Sequence, residues 1–281
     1  MHPRPRHLPH DQPPRPGPPR GRSRVTLKRE LAVAESLALE AGELLRGHRA
    51  HKVEVGHKED GEIVTAADLE SDALIRAGLA IAFPGDAIYS EEAADSPARL
   101  ACSRVWIIDP LDATSDFVAG GDQYVVSIGL AIDRAPVLGV VYRPEREQLF
   151  SGHRDRGVTL NGRPVRATGA RKLDHARIAM SAKESKRGPL ELPPTVVVRR
   201  MRSMAHKLAR VAAGLDDGAI SLKARREWGT CAGVALVLAG GGRATLLDGS
   251  DIAFNQPVPR LPLGMVAAGA ALHPALLMAV G

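Results

Sequence analysis

Two aspartates stand three positions apart around a proline in the stretch WIIDPLDATSDF (106–117). They are Asp109 and Asp112, and the apolar run before them is typical of a buried strand. Carboxylates that are buried side by side repel each other unless protons, positive side chains or a metal ion neutralise them. The spacing therefore predicts a cation site at the end of this strand.

Other acidic residues stand at the ends of predicted elements, namely Asp68 and the pair Glu91 and Glu92 after IYS. Oxygen ligands without histidine or cysteine favour Mg²⁺ over zinc or copper. Each of these residues also has an ordinary structural explanation. Asp68 follows Thr65 by three positions and could cap a helix, the glutamate pair could belong to a loop, and Asp-Pro often begins a turn.

Apolar periodicity predicts the elements that position these residues. A three-to-four spacing predicts a helix over 25–48, and a second helix begins at Thr65 and ends at Pro84. Short apolar runs predict strands at 87–90, 105–109, 124–132, 137–142 and 148–152, with an antiparallel hairpin at 133–136. After these, strands (176–182, 195–198, 218–222, 243–248, 264–269) are interspersed with helices (203–214, 230–241, 274–280).

An antiparallel-rich first half and an alternating second half predict an α/β protein with two fused layered domains and a cleft between them. We expect a metal-binding α+β domain over 25–155 and a second α/β domain over 156–281 that completes the cleft. Residues 1–24 hold six arginines, one aspartate and eight of the 21 prolines. This composition predicts a disordered basic tail.

Composition and charge exclude several classes of function. Most of the net charge of +6 lies in the tail, and only 3% of the residues are aromatic, so a nucleic-acid reader based on base stacking is not expected. The apolar stretch at 230–239 is about half as long as a membrane-spanning helix, which needs about 20 residues. Cys102 and Cys231 make no disulfide framework, so we expect a cytoplasmic protein.

Several stretches together resemble the lithium-sensitive, Mg²⁺-dependent phosphatases, which include inositol monophosphatase and 3'(2'),5'-bisphosphate nucleotidase. The matching pieces are DGEIVTAAD, YSEE, WIIDPLDATSDF, VLGVVYRP, LNGRPV and EWGTCAGVALVLAGG, in family order from about residue 53 onward. The resemblance implies a layered αβαβα sandwich, a small phosphorylated substrate and inhibition by lithium. It is nearest to the bisphosphate nucleotidase branch, and relatives are often homodimers.

The resemblance also implies a set of metal ligands. Glu91, Asp109 and Asp112, with the backbone carbonyl of Leu111, match the positions that hold two or more Mg²⁺ ions. Such ions neutralise a substrate phosphate and lower the pKa of a bound water.

Catalytic roles follow from the same resemblance. Asp68 matches a position that orients a water, and Thr114 matches the hydroxyl that prepares the attacking water together with Glu91. The backbone amides of Ala113 and Thr114 would receive the phosphate at the start of a short helix in TSDF.

The sequence departs from the family pattern at two positions. Ala113 replaces the glycine of Asp-Gly-Thr, which adds a β-carbon near the phosphate. Gly229 replaces an aspartate that normally binds the second metal, so one ligand is missing. Glu227 could take its place, because positions 227 and 229 face the same way in an extended segment, or water could fill the position.

The substrate-binding side chains also differ from those of inositol-specific relatives. Leu222 stands where those relatives have the glutamate that binds ring hydroxyls, and Lys223, Arg225 and Arg226 follow it. Arginines beside the cleft would suit a second phosphate, although they could equally be a solvated basic edge.

One helix beside the cleft also resembles the nucleotidase-type relatives. Ser203 would cap it and contact substrate, while His206 and Lys207 are predicted to be surface residues.

Three functions remain open at this stage. The first is hydrolysis of a bisphosphorylated nucleotide such as 3'-phosphoadenosine 5'-phosphate. The second is hydrolysis of inositol 1-phosphate or another sugar phosphate. The third is a catalytically impaired phosphate-binding protein, for which Gly229 is the reason.

Overall fold

The computed structural model describes residues 27–50, 54–58, 61, 63–184 and 190–280. Six helices occur in these ranges: α1 (Lys28–Arg49), α2 (Ala66–Ala82), α3 (Thr114–Val118), α4 (Met204–Ala212), α5 (Cys231–Ala239) and α6 (His273–Met278). The predicted tail at 1–24 lies outside the described residues. No helix in the described ranges has the length and apolar character to cross a bilayer.

The first large sheet has seven strands in chain order, with only the first pair parallel. Its strands are β3 (Ala87–Ser90), β4 (Arg104–Asp112), β5 (Val125–Ile132), β6 (Ala135–Arg143), β7 (Gln148–His153), β8 (Gly157–Leu160) and β9 (Arg163–Val165). A separate hairpin of β1 (Val55–His57) and β2 (Ile63–Thr65) precedes it. The predicted hairpin at 133–136 is confirmed as the β5–β6 turn.

The second large sheet has five strands in the order β11–β10–β12–β16–β14. The strands are β10 (Arg177–Met180), β11 (Val197–Arg200), β12 (Gly218–Ser221), β14 (Gly242–Leu246) and β16 (Met265–Gly269). The first three are parallel to one another, whereas β16 is antiparallel to both of its neighbours. The strands β13 (Arg225–Arg226) and β15 (Arg260–Leu261) form a separate two-stranded antiparallel ribbon.

Helices and sheets alternate in five layers. The pair α1 and α2 packs on one face of the first sheet, α4 and α5 lie between the two sheets, and α6 packs on the second sheet. Close packing of α5 on the first sheet depends on Gly129, because a β-carbon there would lie 2.7 Å from the amide nitrogen of Ala232. The predicted α/β class and the αβαβα layering are confirmed, while the domain boundaries remain a prediction.

Candidate active site

The strand order of the first sheet brings the predicted metal ligands together. Glu91 directly follows β3, and Asp109 and Asp112 lie near the end of β4. Because β3 and β4 are parallel neighbours, their carboxyl ends meet at one edge of the sheet. A break in register between Asp109 and Asp112 ends regular pairing with β5. All three carboxylates line a cavity of about 210 Å³ together with Leu111.

These carboxylates disfavour one another's charge. Burial raises the pKa of Asp109 well above its ordinary value, and the nearby charges of Glu91 and Asp112 raise it further. Burial also raises the pKa of Glu91 to about 7, although the ammonium group of Lys58 opposes this shift. A buried acidic cluster of this kind is stabilised by divalent cations, and its hard oxygen donors suit Mg²⁺.

Lys58 supplies a positive charge that sequence analysis missed. Its Nζ lies 2.9 Å from Oε1 of Glu91 and 2.7 Å from Oε1 of Glu92. Burial alone would lower the pKa of Lys58, but the two glutamates raise it. Among the described residues, no group of three or more acidic, histidine or cysteine side chains is arranged to hold a metal ion. Because Lys58 already pairs with Glu91, a cation that binds Glu91 must displace or share this ammonium group.

Asp68 serves both as a helix cap and as a partner of Thr114. Its Oδ2 accepts hydrogen bonds from the backbone amide of Thr65 at 2.8 Å and from the hydroxyl of Thr65 at 2.6 Å, which closes a capping box on α2. Its Oδ1 lies 3.0 Å from Oγ1 of Thr114. The capping explanation and the catalytic one are therefore compatible, because each uses a different carboxylate oxygen.

Ala113 occupies the left-handed region of backbone space, with φ 77° and ψ 47°. Glycine adopts this conformation at little cost, whereas a β-carbon makes it strained. This conformation begins α3, and both Ala113 and Thr114 line the cavity. The predicted short helix in TSDF is confirmed, and Ala113 stands where the backbone conformation favours glycine.

Asp112 is held from the opposite side by the start of α4. Its Oδ2 accepts a hydrogen bond from the Ser203 hydroxyl at 2.6 Å and from the Ala205 amide at 3.1 Å. Ser203 also caps α4, since its Oγ accepts a hydrogen bond from the His206 amide at 2.9 Å. The predicted cap is confirmed, and the hydroxyl orients Asp112 so that its other oxygen remains available to a ligand.

The sequence pattern of the inositol monophosphatase family matches residues 27–280. The chain belongs to the inositol monophosphatase family. It is 32% identical over 242 residues to inositol monophosphatase 2 of Solanum lycopersicum, and this alignment covers 82% of this chain and 91% of the relative. It is 33% identical over 257 residues to the 3'-phosphoadenosine 5'-phosphate phosphatase of Mycobacterium tuberculosis, with coverage of 86% and 89%.

The fold agrees with solved structures of the family. The inositol monophosphatase from Anabaena superposes with a TM-score of 0.74 at 28% identity, and the match covers 91% of this chain and 96% of that one. The chain is therefore a phosphatase of the inositol monophosphatase family.

Gly229 leaves open space beside the family's metal ligands. A β-carbon built at this glycine would meet only Oδ2 of Asp109, at 3.7 Å. Gly229 is not among the glycines with positive φ, so its backbone can accept other residues. An aspartate side chain at 229 would start toward Asp109, the side on which the resemblance predicts a further metal ligand.

Glu227 does not replace the missing ligand. Its two carboxylate oxygens accept hydrogen bonds from the amides of Asn255 at 2.7 Å and Gln256 at 2.9 Å. The side chain is completely buried, and burial raises its pKa to about 7. The alternative in which Glu227 substitutes for the aspartate is wrong, because both oxygens are committed to this loop.

The predicted substrate-binding arginines are already engaged within the protein. Arg225 donates to Oε1 of Glu184 at 3.1 Å and to Oγ of Ser221 at 2.6 Å. Arg226 lies over the ring of Trp228, with its guanidinium carbon 5.3 Å from the ring centroid. Both arginines line the cavity that contains the acidic residues. The alternative in which these arginines form a solvated edge away from the acidic residues is therefore wrong.

The prediction that His206 and Lys207 are surface residues is wrong. Both are buried, with 1% and 0% of their area exposed. The reason is that α4 lies between two sheets, so most of its surface is covered. Burial lowers the pKa of Lys207 to about 8, and the nearby Arg225 charge lowers it further.

Proposed function

We propose that this chain is a Mg²⁺-dependent phosphomonoesterase that hydrolyses a bisphosphorylated nucleotide such as 3'-phosphoadenosine 5'-phosphate. The observation that carries the proposal is the cavity lining, in which the carboxylates of Glu91, Asp109 and Asp112 occur together with three arginines, Arg202, Arg225 and Arg226. A phosphate ester with a second anionic group suits a cavity that combines acidic metal ligands with arginines. The likeness to a 3'-phosphoadenosine 5'-phosphate phosphatase supports the same substrate class.

The carboxylates of Glu91, Asp109 and Asp112, with the carbonyl of Leu111, would hold the ions. Bound Mg²⁺ would supply positive charge that offsets the phosphate and favours ionisation of water. Ser203 and the Ala205 amide at the start of α4 donate to Oδ2 of Asp112 and hold the carboxylate in place, so that Oδ1 would be the oxygen that binds an ion.

The other residues of the chain position the reactants. The Thr114 hydroxyl lies 3.0 Å from Asp68 and 3.1 Å from the Leu111 carbonyl, so it can donate to either and accept from the attacking water. Glu91 would accept a hydrogen bond from that water on its other side. The amides of Ala113 and Thr114 would orient the phosphate for in-line attack.

Hydrolysis of inositol 1-phosphate is the second candidate, favoured by the likeness to plant inositol monophosphatases. The glutamate that binds inositol hydroxyls in relatives is replaced here by Leu222, which counts against it. A phosphate-release assay on both substrates separates the candidates. A ratio of kcat/KM that favours inositol 1-phosphate would contradict the nucleotide proposal.

The Asp109→Asn variant tests the metal-dependent chemistry itself. We expect phosphate release to fall by at least about 100-fold, because a ligand to the ions is lost at the centre of the cluster. Asp155→Asn is the matched control, since this aspartate is exposed and outside the cavity lining. Full activity of Asp109→Asn with an intact fold would contradict the metal-phosphatase mechanism, and loss in both variants would point to a general effect of the substitution.

A further inference from the structure

A second and larger cavity, of about 620 Å³, adjoins the catalytic one. The two cavities share Arg202 and Arg225 in their walls. The catalytic cavity is smaller than the roughly 300 to 1,000 Å³ of typical small-molecule sites, whereas the larger one falls within that range. A nucleotide whose phosphate reacts at the acidic wall would therefore extend into the larger cavity.

The lining of the larger cavity comes from three parallel strands of the second sheet. Lys183 follows β10, Arg200 is the last residue of β11, and Lys223 follows β12. Since β11, β10 and β12 are adjacent and parallel, their carboxyl ends open on the same edge. Ligands bind beyond the carboxyl ends of parallel strands in many α/β proteins.

The charges of these three residues are not balanced by acidic neighbours. Within the described ranges, no carboxylate lies at ion-pair distance from Lys183, Arg200 or Lys223, whereas Arg202 pairs with Asp116 at 3.1 Å. Cations gathered without counter-charge in a concave site attract an anionic ligand.

Arg225 is fixed at the boundary between the two cavities. Its guanidinium is held by Ser221 and by Glu184, a side chain of which only 2% is exposed. Glu184 is in turn held by the amides of Ser181 at 3.1 Å and Leu222 at 3.0 Å. A guanidinium with this support loses little conformational freedom when it binds a phosphate.

We propose that the larger cavity binds the non-reacting phosphate of the substrate, through Lys183, Arg200 and Lys223, with Arg225 between the two phosphates. This inference rests on the proposed function, because it places the second phosphate of the same substrate. It assigns substrate selection to residues that do not contact the reacting phosphate.

The test compares adenosine 3',5'-bisphosphate with adenosine 3'-monophosphate in wild type and in Arg200→Gln/Lys223→Gln. We expect the wild type to hydrolyse the bisphosphate with a higher kcat/KM than the monophosphate. In the double variant, the ratio of these two kcat/KM values should fall by at least about tenfold, mostly because KM for the bisphosphate rises. Arg163→Gln/Lys172→Gln is the matched control, because it removes the same charge from exposed positions outside both cavities. An unchanged preference in the double variant, or an equal loss in the control, would overturn the inference.

Binding measurements separate failure of this inference from failure of the proposed function. If neither nucleotide is hydrolysed, the proposed function fails, and calorimetric titration of both nucleotides in the presence of Mg²⁺ still tests the cavity. Tighter binding of the bisphosphate by wild type, lost in the double variant, would support the inference. Equal affinities for the two nucleotides in wild type would contradict it, even if adenosine 3'-monophosphate were hydrolysed.

Discussion

The open space at Gly229 is the residue-scale feature with the largest expected effect on metal use. The backbone there accepts a side chain, and the atom nearest to a β-carbon added at this position belongs to Asp109. With no carboxylate at 229, a second Mg²⁺ in the proposed site would have fewer charged ligands than the family resemblance implies, so we expect its binding to be weaker.

We predict that Gly229→Asp lowers the Mg²⁺ concentration needed for half-maximal activity by about tenfold or more and raises turnover. Titration of Mg²⁺ against phosphate release measures both quantities. Gly169→Asp is the matched control, because Gly169 is exposed and its β-carbon would also be unhindered. If the Mg²⁺ requirement of Gly229→Asp equals that of wild type, the residue at 229 takes no part in holding metal.

Ala113 gives a second prediction, on stability. In the left-handed conformation a β-carbon costs about 1–2 kcal/mol, while glycine loses about 0.5–1 kcal/mol more backbone entropy on folding. Ala113→Gly should therefore raise the free energy of unfolding by about 0.5–1 kcal/mol, measured by urea denaturation. Ala73→Gly, in the exposed interior of α2, should lower it by about 1 kcal/mol. Destabilisation by Ala113→Gly would show that the turn is not strained.

Sequence reasoning at this scale finds what local motifs encode. The motif order identifies three acidic residues, because each follows or ends an apolar run that predicts a strand: Glu91, Asp109 and Asp112. Lys58 and Glu184 escape it because their importance depends on partners 33 and 41 positions away, Glu91 and Arg225. Nothing in the local pattern around either residue marks such a contact.

At the scale of elements, α4 shows how position in the layers overrides local pattern. Its periodicity predicts the helix correctly, but the same pattern predicts that His206 and Lys207 are exposed, whereas both are buried. Both ring nitrogens of His206 are buried without a hydrogen-bond partner among the described residues, and burial lowers its pKa to about 3. An unpaired buried polar group of this kind destabilises a fold by about 1–3 kcal/mol.

We predict that His206→Leu raises the free energy of unfolding by about 1–3 kcal/mol at pH 7.5. The gain should increase by about 1.4 kcal/mol for each pH unit below 6.5, because unfolded His206 takes up a proton there and folded His206 does not. Urea denaturation at pH 7.5 and 5.5 measures both effects, with the exposed His57→Leu as control. A gain that is the same at both pH values would mean that His206 protonates within the fold.

At the scale of the whole molecule, the family match begins at residue 27 and so leaves out the basic segment. Residues 1–24 supply most of the net charge but no apolar periodicity. The layered order of the rest could be predicted from the resemblance. Which helices form the middle layer could not be predicted from local patterns, because the packing of α4 and α5 depends on contacts between distant parts of the chain.

Deletion of residues 1–24 should leave the free energy of unfolding within about 0.5 kcal/mol of wild type and leave phosphate release unchanged. Thermal unfolding and the nucleotide assay measure these two quantities. A large decrease in either would show that the segment belongs to the folded unit.

The acidic residues of the catalytic cavity and the basic residues of the larger cavity come from different sheets. The carboxylates come from the ends of β3 and β4, while the unbalanced basic side chains come from the ends of β10, β11 and β12. Substitutions of Lys183, Arg200 or Lys223 would therefore change the basic cavity while leaving the carboxylates of the first sheet in place. Relatives of this chain are named as inositol monophosphatases and as 3'-phosphoadenosine 5'-phosphate phosphatases. If the larger cavity binds the non-reacting phosphate as proposed, a change of substrate would require substitutions at only one edge of one sheet.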